Sequence, residues 1–223
     1  IPGVIDGMRY TRQGQACTAG SRVYIHEKIY DKVLDGAVKK LSKLKMGNAL
    51  DKSSDIGAII SEEQLKRTLY YMDIEKKNPS TKILHGGNQS KGGEYKDGFY
   101  YEPTLLSGLP VSSPVCQEEV FGPVACAIPF KSFDEVMKSA NDTQFGLSAV
   151  LWTKDLSRAL QFVDEIEAGF VQVNQCVAPR ANVSYGGIKM SGLGKEYAFD
   201  SMMNHFTQSK TVLINRGKSN IDN

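Results

Sequence analysis

Apolar residues recur along this chain in two rhythms, one helical and one extended. Over residues 29 to 45 (IYDKVLDGAVKKLSKLK), Ile29, Val33, Ala37 and Leu41 fall on one helical face, and Lys and Asp take the other. Residues 61 to 76 predict a second helix. Ser61 can cap it, and Glu62 and Glu63 sit in its first turn, where the helix dipole favours negative charge. Asn78-Pro79 ends it. Three more helices are predicted: Ser132 to Asn141 with a serine cap, Leu156 to Ile166, and about Lys195 to His205. Short apolar runs read as strands: Thr81 to Leu84, "VACAIPF" at 124 to 130, Leu147 to Trp152, Gly169 to Asn174, and "SKTVLIN" at 209 to 215, and Val23-Tyr24-Ile25 is an apolar alternating stretch.

Strand and helix alternate through most of the chain, which predicts an α/β sheet with helices on its faces. The glycine-rich stretch from Gly86 to Gly98 predicts a surface excursion, and Pro103, Pro110, Pro114 and Pro123 mark a loop region. No repeat or low-complexity linker divides the chain. The expected division is one domain over 1–206 and a terminal strand with a polar tail over 207–223. That last strand follows the last helix, so it is expected to pair outside the main sheet, with another subunit.

Composition narrows the classes. The chain's 223 residues can bury a real core, with 41% hydrophobic and 23% charged positions. Its 27 basic and 25 acidic residues give a net charge of +2, so there is no electrostatic footprint for nucleic acid. Lys39, Lys40, Lys43 and Lys45 read as the solvated face of the first helix. No apolar run reaches the length of a membrane span, and no signal peptide opens the chain. Cys17, Cys116, Cys126 and Cys176 form no CxxC pair and match no zinc spacing, so no metal site is expected. They read as free thiols of a cytoplasmic protein. The chain begins with Ile1 rather than Met, which reads as a processed product, an expressed fragment, or a chain whose earlier part is missing.

Three stretches carry candidate chemistry. Cys17 stands among Gly14, Gln15, Ala16, Thr18, Ala19, Gly20 and Ser21. A packing cysteine normally sits among large apolar residues. This one sits where backbone can approach and amides are free to meet a developing oxyanion, which is the setting of a nucleophilic thiolate. In "QEEVFGPVACAIPF" (117 to 130), Glu118 and Glu119 precede Phe121. A carboxylate can hold a ribose diol with two hydrogen bonds, and an aromatic ring can pack on a flat base. In "VNQCVAPRANVSYGGIKMSGLGKE" (173 to 196), the glycines read as tight turns beside a cleft rather than a phosphate cradle, and Cys176 and Arg180 lie in the loop before them.

Together, "GQACTAGSR", "EEVFGPV" and "YGGIKMSGLGKE" resemble the aldehyde dehydrogenase superfamily in order and spacing, and the resemblance covers essentially the whole chain. It implies the fold of the family's catalytic domain: an open, mostly parallel sheet with flanking helices, followed by an oligomerisation strand. It makes Cys17 the nucleophile, Glu119 the residue that holds the nicotinamide ribose, and Phe121 a residue that positions the nicotinamide. Gln64 and Arg67 match helix residues near the cofactor. Cys176, Val177, Arg180 and Tyr185 fall on the loop that shapes the substrate tunnel, and Glu196 is similar to a glutamate on a proton path. The implied reaction oxidises a small-molecule aldehyde with NAD or NADP, through a thiohemiacetal and a thioester on Cys17. The likeness also implies a homo-oligomer formed through the 209–215 strand.

Departures from the family pattern shape the expectations. The family enzyme is roughly twice as long, and its cofactor-binding domain, ELGG-type general-base glutamate and oxyanion-hole asparagine have no counterpart in this chain. This chain therefore reads as the C-terminal, catalytic-domain half, inactive by itself. Gln172 stands where many relatives carry an aromatic residue. Arg180 suits the carboxylate of a semialdehyde or, equally, solvent. Two other readings remain at this point. One is a non-catalytic remnant acting as an interaction module. The other is a thiol hydrolase pairing Cys17 with His26, His85 or His205, none of which sits in a recognisable partner motif.

Overall fold

A computed structural model describes residues 2–215. The chain opens with helix α1 (Pro2–Gly7), strand β1 (Arg22–His26) and helices α2 (Tyr30–Leu41) and α3 (Glu62–Lys77). Then come β2 (Lys82–His85), β3 (Gln89–Ser90), β4 (Tyr100–Tyr101), β5 (Thr104–Ser107), α4 (Pro114–Gln117) and β6 (Val124–Phe130). The last third holds α5 (Phe133–Asn141), β7 (Phe145–Gly146), β8 (Ser148–Leu151), α6 (Leu156–Glu165), β9 (Phe170–Val173), β10 (Ile188–Lys189) and α7 (Phe199–Phe206).

The main sheet is open, mixed and ordered β1-β6-β5-β2. β6 pairs in parallel with β1 on one side and β5 on the other, and β2 joins β5 antiparallel. "VACAIPF" is apolar almost throughout because β6 is covered on both faces. Val124, Cys126 and Ile128 pack with Leu65, Tyr71 and Met72 of α3. Ala125 and Ala127 pack with Ile5 of α1 and with Leu34, Ala37 and Leu41 of α2. The strand's small and large residues thus alternate between two cores. A separate β8-α6-β9 unit, with β8 and β9 parallel, lies beyond α5, and β7 pairs antiparallel with β10. Arg22 ties α5 to the main sheet through bonds from Nη1 and Nη2 to the Ser139 and Ala140 carbonyls.

The helix starts follow the capping residues. Ser61 Oγ accepts from Gln64 N at 3.2 Å, and Ser132 Oγ accepts from Glu135 N at 3.3 Å. α3 carries the side chains that hold one of the functional loops, so its cap bears on the site. Ser61→Ala is expected to lower stability by about 1 kcal/mol. A shift of the urea unfolding midpoint at unchanged slope measures it, and no shift would refute the cap's contribution.

Several expectations need correction. α2 ends at Leu41, so Lys43 and Lys45 lie beyond it, and its buried face is Leu34, Ala37 and Leu41, with Ile29 exposed just before its start. The glycine-rich excursion contains half of a small ladder, with Ser90 opposite Tyr100. The proline-marked region holds β5 and α4; Pro114 opens α4, where no N–H is needed. α7 begins at Phe199 rather than Lys195. Residues 209–215 form no strand, and Val212, Leu213 and Ile214 are 63%, 92% and 79% exposed. A strand is stable only with a neighbour to pair its backbone, and no strand of the described residues pairs with 209–214. The rest of the polar tail, 216–223, lies outside the described residues.

Candidate active site

The cysteine loop runs directly into β1, and the "EEVFGP" loop runs directly into β6. Because β1 and β6 are parallel neighbours, both loops emerge at the same end of the sheet. This is the amino end of the strands, opposite to the carboxyl end where open α/β sheets generally bind ligands. The loops touch through glycines. Gly14 has φ +66, and a Cβ there would fall 2.2 Å from the Gly122 carbonyl oxygen. A Cβ on Gly122 would fall 2.4 Å from Thr68 Oγ1 of α3. Only glycine permits this three-layer approach.

Cys17 stands on a turn closed by Ala19 N–H donating to the Ala16 carbonyl at 2.9 Å. Among the described residues, the N–H groups of Cys17 and Thr18 meet no acceptor. The Cys17 thiol is exposed, Cys176 is half-buried, and Cys116 and Cys126 are buried. Cys116 and Cys126 interact within the core; that bond, and then burial, push the Cys126 thiol up. Cys17 Sγ lies 3.0 Å from Tyr185 Oη. Tyr185 and Glu196 exchange backbone hydrogen bonds of 3.0 and 2.7 Å. The Tyr185 ring meets Phe170 and Tyr197 edge-on, at centroid distances of 5.4 and 5.9 Å. Burial first, then the contact with Cys17, raises the Tyr185 phenol above its ordinary range. The first and third motifs therefore meet at the thiol.

The second motif is shaped by α3. Gln64 Nε2 donates to the Val120 and Phe121 carbonyls at 2.8 and 2.9 Å, and Arg67 Nε donates to the Glu119 carbonyl at 2.9 Å. The polar groups of Gln64 and Arg67 are thus engaged with the loop backbone, which they hold in a shape that includes Phe121 at φ +54. Tyr71 Oη donates to Glu118 Oε2 at 2.7 Å, and burial, then this bond, pushes the phenol up to about 12. The adjacent glutamates are thereby separated in role: Glu118 is occupied, while the exposed Glu119 carboxylate has no side-chain partner among the described residues.

The loop after β9 is anchored at its start. Val177 N–H donates to Oε1 of Gln172, itself only 4% exposed, at 2.8 Å. Arg9 Nη1 donates to the Cys176 carbonyl at 3.1 Å. Arg180 is exposed, and among the described residues its side chain has no hydrogen bond or ion pair. Glu196 is exposed, and its backbone rather than its carboxylate meets Tyr185. Lys195 Nζ donates to the Gly186 and Gly187 carbonyls; neither glycine sits in a turn, and among the glycines of this stretch the left-handed φ values fall at Gly192 and Gly194. Gln172 stood out in the sequence only as a departure from the family pattern, where many relatives carry an aromatic residue. Arg9 and Thr68 carried no local signal, because their roles come from partners far along the chain.

Other chemistry is placed elsewhere. His26 Nδ1 accepts from Lys28 N, and His85 Nδ1 lies 2.8 Å from the Pro103 carbonyl; among the described residues no histidine bonds Cys17. A cleft of about 700 Å³, lined by Lys45, Asp51, His85, Glu94 and Glu102 among others, includes no residue of the three motifs. Among the described residues, no group of three or more His, Cys, Asp or Glu side chains is placed to hold a metal, and no helix is long and apolar enough to cross a membrane.

Comparison with known proteins joins these observations. The chain is 39% identical over 202 residues to an aldehyde dehydrogenase of Rhodospirillum rubrum, covering 91% of this chain and 40% of that enzyme. It is 38% identical to aldehyde dehydrogenase B of Escherichia coli, covering 91% of this chain and 39% of that enzyme. The chain thus spans about two fifths of the length of the curated relatives it matches. Its structure superposes on the NAD+ complex of a Bacillus cereus aldehyde dehydrogenase with a TM-score of 0.90 at 32% identity, covering 96% of this chain and 42% of that one. The aldehyde dehydrogenase family profile matches residues 3–212, so the chain belongs to the aldehyde dehydrogenase family.

Proposed function

We propose that this chain is the catalytic part of an NAD(P)-dependent aldehyde dehydrogenase that oxidises a small aldehyde to its carboxylic acid through a covalent adduct on Cys17. The observation that carries the reading is the Gly14–Gly122 contact, which sets the exposed thiol's loop against the loop of Glu119 and Phe121. A thiolate at Cys17 attacks the aldehyde carbon; the C–S bond forms and the carbonyl π pair moves to oxygen. The unengaged N–H groups of Cys17 and Thr18 are available to that oxyanion. After oxidation, the thioester is opened by water, releasing acid and restoring the thiolate.

The residues present fit a nicotinamide cofactor. Glu119 offers an unengaged carboxylate to a ribose diol, on a backbone clamped by Gln64 and Arg67, and Phe121 stands two residues on. When bound, the nicotinamide supplies the hydride acceptor. Gln64 and Arg67 act as positioning residues for this loop. The segment from Cys176 to Tyr185 shapes the substrate's approach, with Arg180 available to an anionic group, and Glu196 serves proton movement near it. The general base for hydrolysis comes from outside this chain, which is inactive alone. The exposed Phe199, Met202, Met203 and Phe206 of α7, with Val212 to Ile214, form the surface buried by a second copy. Free thiols suit a cytoplasmic location.

The test uses a chimaera in which this chain replaces the matching segment of the Escherichia coli relative. There Glu119→Gln is expected to raise KM for the cofactor by about tenfold, the loss of one charge-assisted hydrogen bond, with kcat changed less. An unchanged KM would remove Glu119 from cofactor binding.

A further inference from the structure

Cys17 and Tyr185 stand 168 positions apart in the chain, yet the sulfur and the phenol oxygen lie within hydrogen-bond distance. We propose that the Tyr185 hydroxyl is a positioning group for the Cys17 sulfur, donating a hydrogen bond that holds the thiolate on its turn until an aldehyde arrives. This rests on the reading of Cys17 as nucleophile.

Three observations carry it. First, once the sulfur has ionised it can only accept, so the phenol must be the donor, and its environment keeps it protonated. Second, the ring is held independently of the thiol. Phe170 and Tyr197 meet it edge-on, and the Glu196 backbone pairs with its own on both sides. A pre-fixed ring aims its hydroxyl at little entropic cost. Third, among the described residues no other side chain hydrogen-bonds the Cys17 thiol. The titratable groups facing the Tyr185 phenol are Cys17, Tyr197 and Glu196; the phenol of Tyr197 and the carboxylate of Glu196 both favour its protonated form. A phenylalanine would pack as well against Phe170, so the hydroxyl is the functional addition. No covalent bond is made or broken by Tyr185, and its proton stays on Oη.

A hydrogen bond to a thiolate has two opposed effects. It favours the ionised form, and it withdraws density and so lowers the nucleophilicity of each thiolate. The experiment is iodoacetamide alkylation of the 223-residue chain, resolved by peptide mass spectrometry, in the parent and in Tyr185→Phe. In the variant, Cys17 is expected to react roughly fivefold more slowly near about pH 6.5 and at least as fast near about pH 10, so that the profiles cross. A purely structural role would scale the rate equally at every pH, so parallel or identical profiles would overturn the proposal. Tyr197→Phe, which removes a hydroxyl from the same aromatic stack, should leave the profile unchanged; reproducing the crossing would overturn the assignment to Tyr185.

Protection of Cys116 and Cys126 reports that the variant is folded. If the phenylalanine variant exposes them, 3-fluorotyrosine at position 185 decides instead. A stronger donor should raise the Cys17 rate near about pH 6.5, and no increase would overturn the proposal. Failure of the underlying reading looks different: Cys17 would react no faster than half-buried Cys176 in the parent chain.

Discussion

In the chimaera with the Escherichia coli relative, Cys17→Ser is expected to lower kcat for aldehyde oxidation by at least about a thousandfold. A serine hydroxyl stays protonated at working pH and is a poor nucleophile unless a base takes its proton. No histidine among the described residues bonds position 17, and its side-chain partner, the Tyr185 phenol, is pushed up by burial, so it stays protonated and takes no proton from the serine. The turn and its unengaged N–H groups remain in the variant, so the loss reports the nucleophile alone. NADH formation measures it. Turnover within about tenfold of the parent would eliminate the covalent mechanism on Cys17.

The second large effect belongs to Gly14, which touches no reacting atom. Gly14→Ala is expected to destabilise the chain by roughly 2–5 kcal/mol, from a left-handed φ and from a Cβ driven into the Gly122 carbonyl. The melting temperature should fall by roughly 5–15 °C, as read by circular dichroism. Gly20→Ala in the same loop is the control: its Cβ would meet the nearest atom, the Gly7 carbonyl oxygen, at an ordinary 3.6 Å. Similar melting temperatures for the two variants would show that the loops do not depend on the Gly14–Gly122 approach. In the chimaera, Gly14→Ala should also cost activity, because it separates the thiol's loop from that of Glu119.

The family resemblance was legible because chemistry demands particular residues at particular places: a thiol among small residues, paired acids before an aromatic, glycines at tight turns. Regular elements were legible where one physical signal dominated. α3 and α5 carry serine caps, and β6 is apolar because both its faces are covered. β5 was hidden because its four residues lie between prolines, and its strand character comes from β6 and β2 beside it. The 209–215 segment is the opposite case. It has a strand's composition, but no strand of the described residues pairs with 209–214, and pairing is not a property of one segment.

By itself, the sequence determined the alternating α/β order, the serine caps of α3 and α5, the candidate thiol and the family to which the chain belongs. Those depend on local periodicity, local hydrogen bonds and residue chemistry, all of which act over a few positions. Only the tertiary structure decided that Glu118 is engaged by Tyr71 while the Glu119 carboxylate has no side-chain partner among the described residues. It alone turned Gln64 and Arg67 toward the loop's own carbonyls, and brought Tyr185 to Cys17. Those facts join positions tens to hundreds of residues apart. They follow from strand pairing and close glycine contacts, which bring distant segments together on geometric terms that no single segment carries.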